Sequence, residues 1–150
     1  AGPVLRQLGR EVPHFQMPDG FSDARMVFPG VMTIQALPYT RDAEAVERLS
    51  QQLDASLFQT IPLIVVCDNS AFAAMNFRNW VWITFTRSNP SHDIYGVGAS
   101  QNHKHWGCTG PLLIDARIKP HHAPPLELDP EIEKKVDALG AAGGPLHGII

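Results

Sequence analysis

The chain predicts an α/β fold: a single three-layer domain, an open mixed sheet covered by helices, with an extended N-terminal linker and a Pro-rich C-terminal arm. Three stretches carry that prediction. Ile61 to Cys67 is apolar throughout except for Pro62, as expected of a strand buried on both faces. Ahead of it, Ala45, Val46, Leu49, Leu53 and Leu57 recur at helical spacing behind Asp42, with Glu44 and Glu47 in the first turns. Val31 to Ala36 precedes that helix and is closed by Pro38, so the order is strand, helix, strand, that of a βαβ-type crossover.

The remaining elements follow in order. Residues 1–24 hold Pro3, Pro13, Pro18, Gly2, Gly9 and Gly20 without a sustained period and read as a linker, as if an upstream domain preceded them. Pro29-Gly30 breaks the apolar stretch from Arg25 to Leu37 and starts the first predicted strand at Val31. Asp68-Asn69-Ser70 ends the Ile61 strand. Polar residues there either face a ligand crevice or cap the next turn. Asn76 to Arg87 is ambiguous. Its β-branched and aromatic residues favour a strand, whereas Phe77, Trp80, Val81 and Thr84 sit at helical spacing behind a possible Asn76 cap. His92 to Val97 and Pro111 to Ile118 read as short strands. "KPHHAPPLELDP" has four prolines in twelve residues and is an extended arm. Asp129-Pro130-Glu131 places a cap, an N1 proline and an acid in register for a helix to about Leu139, and residues 140–150 read as a flexible tail. Residues 25–139 thus form the predicted domain.

Composition narrows the function classes. The net charge of −3 comes from interspersed acids and bases, with no basic face to suggest nucleic acid. No apolar run reaches the ~18–20 residues of a bilayer span, and the two cysteines, Cys67 and Cys108, make no disulfide framework. A soluble protein of the reducing cytoplasm is expected.

The chemically dense stretch is "GASQNHKHWGC", which reads as a metal site, a substrate contact or a plain loop. His103, His105 and Cys108, with His121 and His122 downstream, hold enough imidazole and thiolate for a zinc site if the loops meet, but no Cys-x-x-Cys or His-Glu-x-x-His spacing reinforces it. Histidines that merely stabilise a loop are the simpler reading, and no metal is assigned. Cys108 with His105 lacks a third group to orient a nucleophile and base. The glycines at 96, 98, 107 and 110 form no phosphate-binding fingerprint. Trp80 and Trp82 are explained by packing. Glu44, Glu47, Glu127, Glu131 and Glu133 fall on predicted exposed helix positions rather than in a buried acid–base pair.

Three segments carry a family resemblance: "MPDGFSDARMV", "IPLIVVCDNSAFAAMNFRNWVWITFTRSNPSHDI" and "GPLLIDARIKP". Together they resemble the C-terminal domain of UbiD-type aromatic-acid decarboxylases and carboxylases over about Val12 to Leu139, most specifically in "VVCDNS" and "NFRNWVWITFTRSNPSHD". The resemblance implies an open α/β domain, a helix at Asn76 to Arg87 and a homo-oligomer built through this domain. It also implies prenylated FMN, a divalent cation and potassium in a separate flavin-binding domain or subunit, acting on an aromatic acid or phenolic substrate. No segment matches the family's catalytic motif, so no catalytic or cofactor-binding residue is assigned here. "NHKHWGC" and "KPHHAPPLE" are similar to the phenolic-substrate carboxylases.

The resulting expectation is a C-terminal domain or small subunit that contributes assembly and pocket closure. His103, Lys104, His105 and Trp106 would form a lid, Lys104 attracting a carboxylate or phosphate and Trp106 excluding water. The alternative is a non-catalytic assembly or binding module that retains the fold.

Overall fold

The computed structural model describes residues 7–123 and 129–149. A five-stranded sheet runs in the order β1 (Phe21–Phe28), β2 (Val31–Ala36), β3 (Leu63–Cys67), β7 (Leu112–Asp115), β4 (Ile94–Gly96). The three central strands are parallel, and β1 and β4 pair antiparallel at the two edges, so the sheet is mixed, as predicted. A separate two-stranded ribbon pairs β5 (Ala99–Asn102) with β6 (His105–Cys108).

Alternation along the central strands divides their side chains between two apolar layers. Met32, Ile34, Ile64, Val66 and Leu113 face α1 (Ala45–Gln52), which contributes Val46 and Leu49. Val31, Val65, Cys67 and Ala116 face α2 (Ser70–Ala74) and α3 (Phe77–Thr86), meeting Ala73, Trp80 and Ile83. Ile64, Val65 and Val66 are wholly buried, which explains the missing polar alternation in this strand.

Two elements differ from their sequence expectation, and a third resolves a segment whose residues left helix and strand open and for which the family resemblance implied a helix. The first helix ends at Gln52, because Leu53 is extended and Asp54 caps a 3-10 turn, Ala55–Phe58, through Ser56 N–H at 2.9 Å; Leu57 therefore leaves the apolar face and is exposed. Asp42 does not cap the helix; its carboxylate pairs with Arg48. Second, β1 begins at Phe21, inside the segment read as linker, and Val12, Phe15 and Met17 pack on the α1-side core, with Phe15 edge-on to Phe58 at 5.0 Å. Proline denies this segment a regular period without denying it burial. Gly9 bonds both Thr60 O and Gly30 N at 2.8 Å, and a Cβ at Gly9 would lie 2.5 Å from Thr60 Oγ1. Third, the ambiguous 76–87 segment is a helix. The Asn76 side chain accepts from Asn79 N–H at 2.9 Å, and tertiary packing of Trp80 against Phe28 at 5.1 Å outweighs the β-propensity of its branched residues.

The β1–β2 hairpin turns through Pro29-Gly30 with Gly30 at φ 81°, the left-handed geometry that a Pro-Gly type II turn needs. β1 carries an irregularity between Ser22 and Arg25 where Asp23 takes φ 43°. Its carboxylate is held by Arg25 Nε at 2.8 Å and by Ser70 Oγ at the start of α2, and these bonds keep its pKa below the usual carboxylate range. The predicted Pro-rich arm falls in part on residues 124–128, outside the described residues. α4 (Pro130–Gly140) begins as read, with the Asp129 carboxylate accepting from Glu131 N–H at 2.9 Å, and Leu146 N–H bonds back to Leu139 O at 2.9 Å.

Candidate functional site

In open parallel sheets, ligand crevices lie beyond the carboxyl ends of the strands. Here β2, β3 and β7 end together, delivering Leu37 to Tyr39, Asp68-Asn69 and Ala116 to Lys119 to one edge. The charged residues at positions 115, 117 and 119 fall every second residue on this exit, and all three are buried.

These side chains are consumed by one another. Arg117 donates Nε to Asp115 Oδ1 at 2.9 Å and Nη2 to Oδ2 at 2.7 Å, and its remaining donors reach Leu37 O, Asp42 O and Ala43 O at 2.8–3.3 Å. Lys119 Nζ reaches Asp115 O at 2.8 Å, Arg87 O at 3.0 Å, Arg117 O at 3.4 Å and Asp93 Oδ2 at 3.3 Å. The Tyr39 ring lies 5.2 Å from the Arg117 guanidinium carbon and 5.5 Å from Lys119 Nζ. Of the two residues singled out after β3, Asn69 caps α2 through Phe72 N–H at 2.8 Å. Asp68 accepts from Ile118 N–H at 2.8 Å and meets Arg87 Nη1 at 3.5 Å. The edge thus binds three strand exits together and, among the described residues, presents no convergent acid, base and nucleophile. Behind it, burial pushes the Cys67 thiol pKa up, which leaves it a poor nucleophile, and Thr33 Oγ1 lies 3.1 Å from its sulfur.

The four proposed lid residues stand elsewhere. "NHKHWGC" is not a plain loop but a hairpin, with His103 and Lys104 at its turn and His105 and Trp106 on β6. His103 takes φ 55°, so the turn needs a left-handed residue and finds it in histidine. Trp106 is half exposed and folds back onto β4: a Cβ at Gly96 would come within 2.9 Å of Trp106 Cζ2 and 2.7 Å of Cys108 Cβ. Below the hairpin lies a cavity of about 740 Å³ whose walls include Trp106, Tyr95, Glu47, Ser50 and Asp54. Of the four candidates only Trp106 lines it. Burial, then the acidic neighbours Asp115 and Glu47, raise the Tyr95 phenol pKa.

The two histidine groups stay apart. His121 and His122 meet edge-on at 4.6 Å on the turn after Lys119, where His122 Nδ1 accepts from Lys119 N–H at 3.1 Å. Among the described residues no three His, Cys, Asp or Glu side chains form a metal-ligating group, so His103, His105, Cys108, His121 and His122 are not brought together.

Sequence reasoning missed Arg117, Lys119, Asp115, Asp93 and Tyr39. The signal was present in "LLIDARIKP", where charges at alternate positions directly continue a buried strand.

No family model matches the chain. It is similar to one subunit of the 4-hydroxybenzoate decarboxylase of Chlamydia pneumoniae, 31% identical over 80 residues, which is 50% of this chain and 13% of that protein. An uncharacterized protein of Chlamydia muridarum is 28% identical over 144 residues, 91% of this chain and 22% of its own length. Among solved structures, the vanillic acid decarboxylase of Sedimentibacter hydroxybenzoicus matches in its closed form with TM-score 0.37 and 20% identity, covering 76% of this chain and 27% of that one. Its open form gives TM-score 0.37 and 20% identity over 74% and 27%. The chain spans less than a quarter of the length of the curated relatives it matches. Along half of its length, then, it is similar to a decarboxylase subunit. Among the described residues no helix is long and apolar enough to cross a membrane.

Proposed function

We propose that this chain is the C-terminal domain or small subunit of a UbiD-like aromatic-acid decarboxylase or carboxylase, contributing assembly and closure of the substrate pocket, with the chemistry in a flavin-binding partner domain or chain. The observation that carries the reading is the 80-residue match to a decarboxylase subunit, taken with a carboxyl edge whose charges are already spent on one another.

Prenylated FMN, with its divalent cation and potassium, belongs to the partner in this reading. The residues here do not fit it. Among the described residues the hairpin cavity presents Glu47 and Asp54 without a basic lining residue, which repels a phosphate, and Arg48 beside the cavity at Gly20 and Phe21 is paired with Asp42.

The lid role falls to the β5–β6 hairpin. Its eight strand residues are largely exposed, and Lys104 at the turn carries a charge that suits a substrate carboxylate. Large apolar side chains left exposed on the α2–α3 layer, Met75, Phe77 and Phe85, support a homo-oligomer. A cytoplasmic location and a phenolic substrate complete the reading.

The test is isolation of the native protein from its source cells with measurement of intact mass, flavin absorbance and aromatic-acid decarboxylation. A flavin-loaded partner, or a longer chain ending in this sequence, is expected to carry all activity. Alanine at His105 and Trp106 in that complete enzyme is expected to lower turnover or change substrate choice. The reading is overturned by a lone 150-residue chain that binds the flavin and releases CO2, or by one that purifies without any such partner.

A further inference from the structure

The Lys119 ammonium has an unusual set of neighbours. Three main-chain carbonyls, those of Asp115, Arg87 and Arg117, lie at 2.8, 3.0 and 3.4 Å, the Asp93 carboxylate is at 3.3 Å, and Asp115 Oδ1 stands further off at 3.9 Å. Asp115 is already engaged by the two-pronged Arg117, whereas Asp93, among the described residues, meets no cation other than Lys119. The shell around Nζ is therefore three neutral carbonyls and the Asp93 carboxylate, whose Oδ2 also accepts Asn89 N–H at 2.6 Å, a formal −1. Rings of carbonyl oxygens are how proteins replace the hydration shell of potassium. Calcium and magnesium need shorter oxygen distances of about 2.0–2.6 Å and a larger share of carboxylates.

We propose that the pocket around Lys119 Nζ is a monovalent-cation site that the chain fills with its own ammonium. The tethered cation ties the end of α3, through Arg87 O, and the start of β4, through Asp93, to the exit of β7. In doing so it fixes the segment that leads into β4 and the hairpin. With the tether cut, the site takes potassium or ammonium ion from solution.

The experiment is thermal unfolding of the full chain in potassium, ammonium, lithium and choline chlorides at equal ionic strength. The wild-type midpoint is expected to be the same in all four salts. Lys119→Ala is expected to fall by at least ~5 °C in lithium and choline and to regain half or more of that loss in potassium or ammonium. Lys119→Ala combined with Asp93→Asn is expected to lose the recovery, and Lys119→Met, which fills the space without charge, to be destabilised equally in every salt. A Lys119→Ala midpoint independent of the salt, or an unfolded chain in all four, overturns the proposal. So does a potassium recovery that persists in the double variant, or a Lys119→Met protein as stable as wild type.

Discussion

Arg117 and Asp115 sit two residues apart on the exit of β7 and face each other through two parallel bonds, 2.9 and 2.7 Å, with both side chains almost completely removed from water. A buried pair of this kind repays its desolvation only when every donor is used, and Arg117 uses its others on three carbonyls of the β2–α1 connection.

Removing one partner leaves the other charged, buried and unpaired. Arg117→Met is expected to cost about 3–5 kcal/mol of unfolding free energy, measured by urea denaturation. Arg117→Lys is expected to recover only part of it, since an ammonium cannot reproduce the planar fork. A variant within ~1 kcal/mol of wild type would show that the network is dispensable.

Gly96 gives the hairpin its seat. Any side chain there meets Trp106 and Cys108 below 3.0 Å. Gly96→Ala is expected to lever β5–β6 away, moving the Trp106 indole resonance and speeding amide exchange in residues 99–108, while amides of β3 stay protected. Unchanged hairpin exchange would refute this.

His122 must be neutral at Nδ1 to accept the Lys119 N–H. Burial first, then the neighbouring His121 and Lys119, lower its pKa below the ordinary value, with Asp93 opposing and Arg87 assisting. The unfolded chain therefore binds the proton more readily than the folded one. The stabilisation is complete above the unfolded pKa of about 6.5 and is lost as pH falls through the lowered folded value. His122→Asn keeps an acceptor without titrating, so its stability between pH 7.5 and pH 5 is expected to fall less steeply than that of wild type. Equal slopes would exclude His122 as a contributor.

The α3 cap is a separate test. Asn76→Ala removes the acceptor for Asn79 N–H and is expected to cost about 0.5–2 kcal/mol, with Asn76→Asp restoring most of it.

The legible parts of the sequence were those in which burial leaves a pattern. β3 showed as an unbroken apolar run because both its faces are covered, and α4 showed its start through Asp129-Pro130. Asn76 to Arg87 was balanced between two readings until Trp80 had Phe28 and Phe77 to pack on, a contact from distant chain that no local window contains. The β5–β6 hairpin left almost no trace. Its strands are exposed, so no apolar alternation marks them, and the turn runs through His103-Lys104 without the usual glycine or asparagine at its centre. The edge network was hidden for the opposite reason. Asp115, Arg117 and Lys119 read as ordinary surface charges, and only the topology that ends β2, β3 and β7 together makes them interior residues.

The kink at Asp23 reaches beyond β1. One rim of the five-stranded sheet is broken there by a left-handed residue and a charged pair, and the other rim, β4, is three residues long. Neither offers a foreign strand a straight run of unpaired peptide groups to copy, which protects the chain against fibre-like stacking. Growth by strand addition is closed off at both rims of the five-stranded sheet.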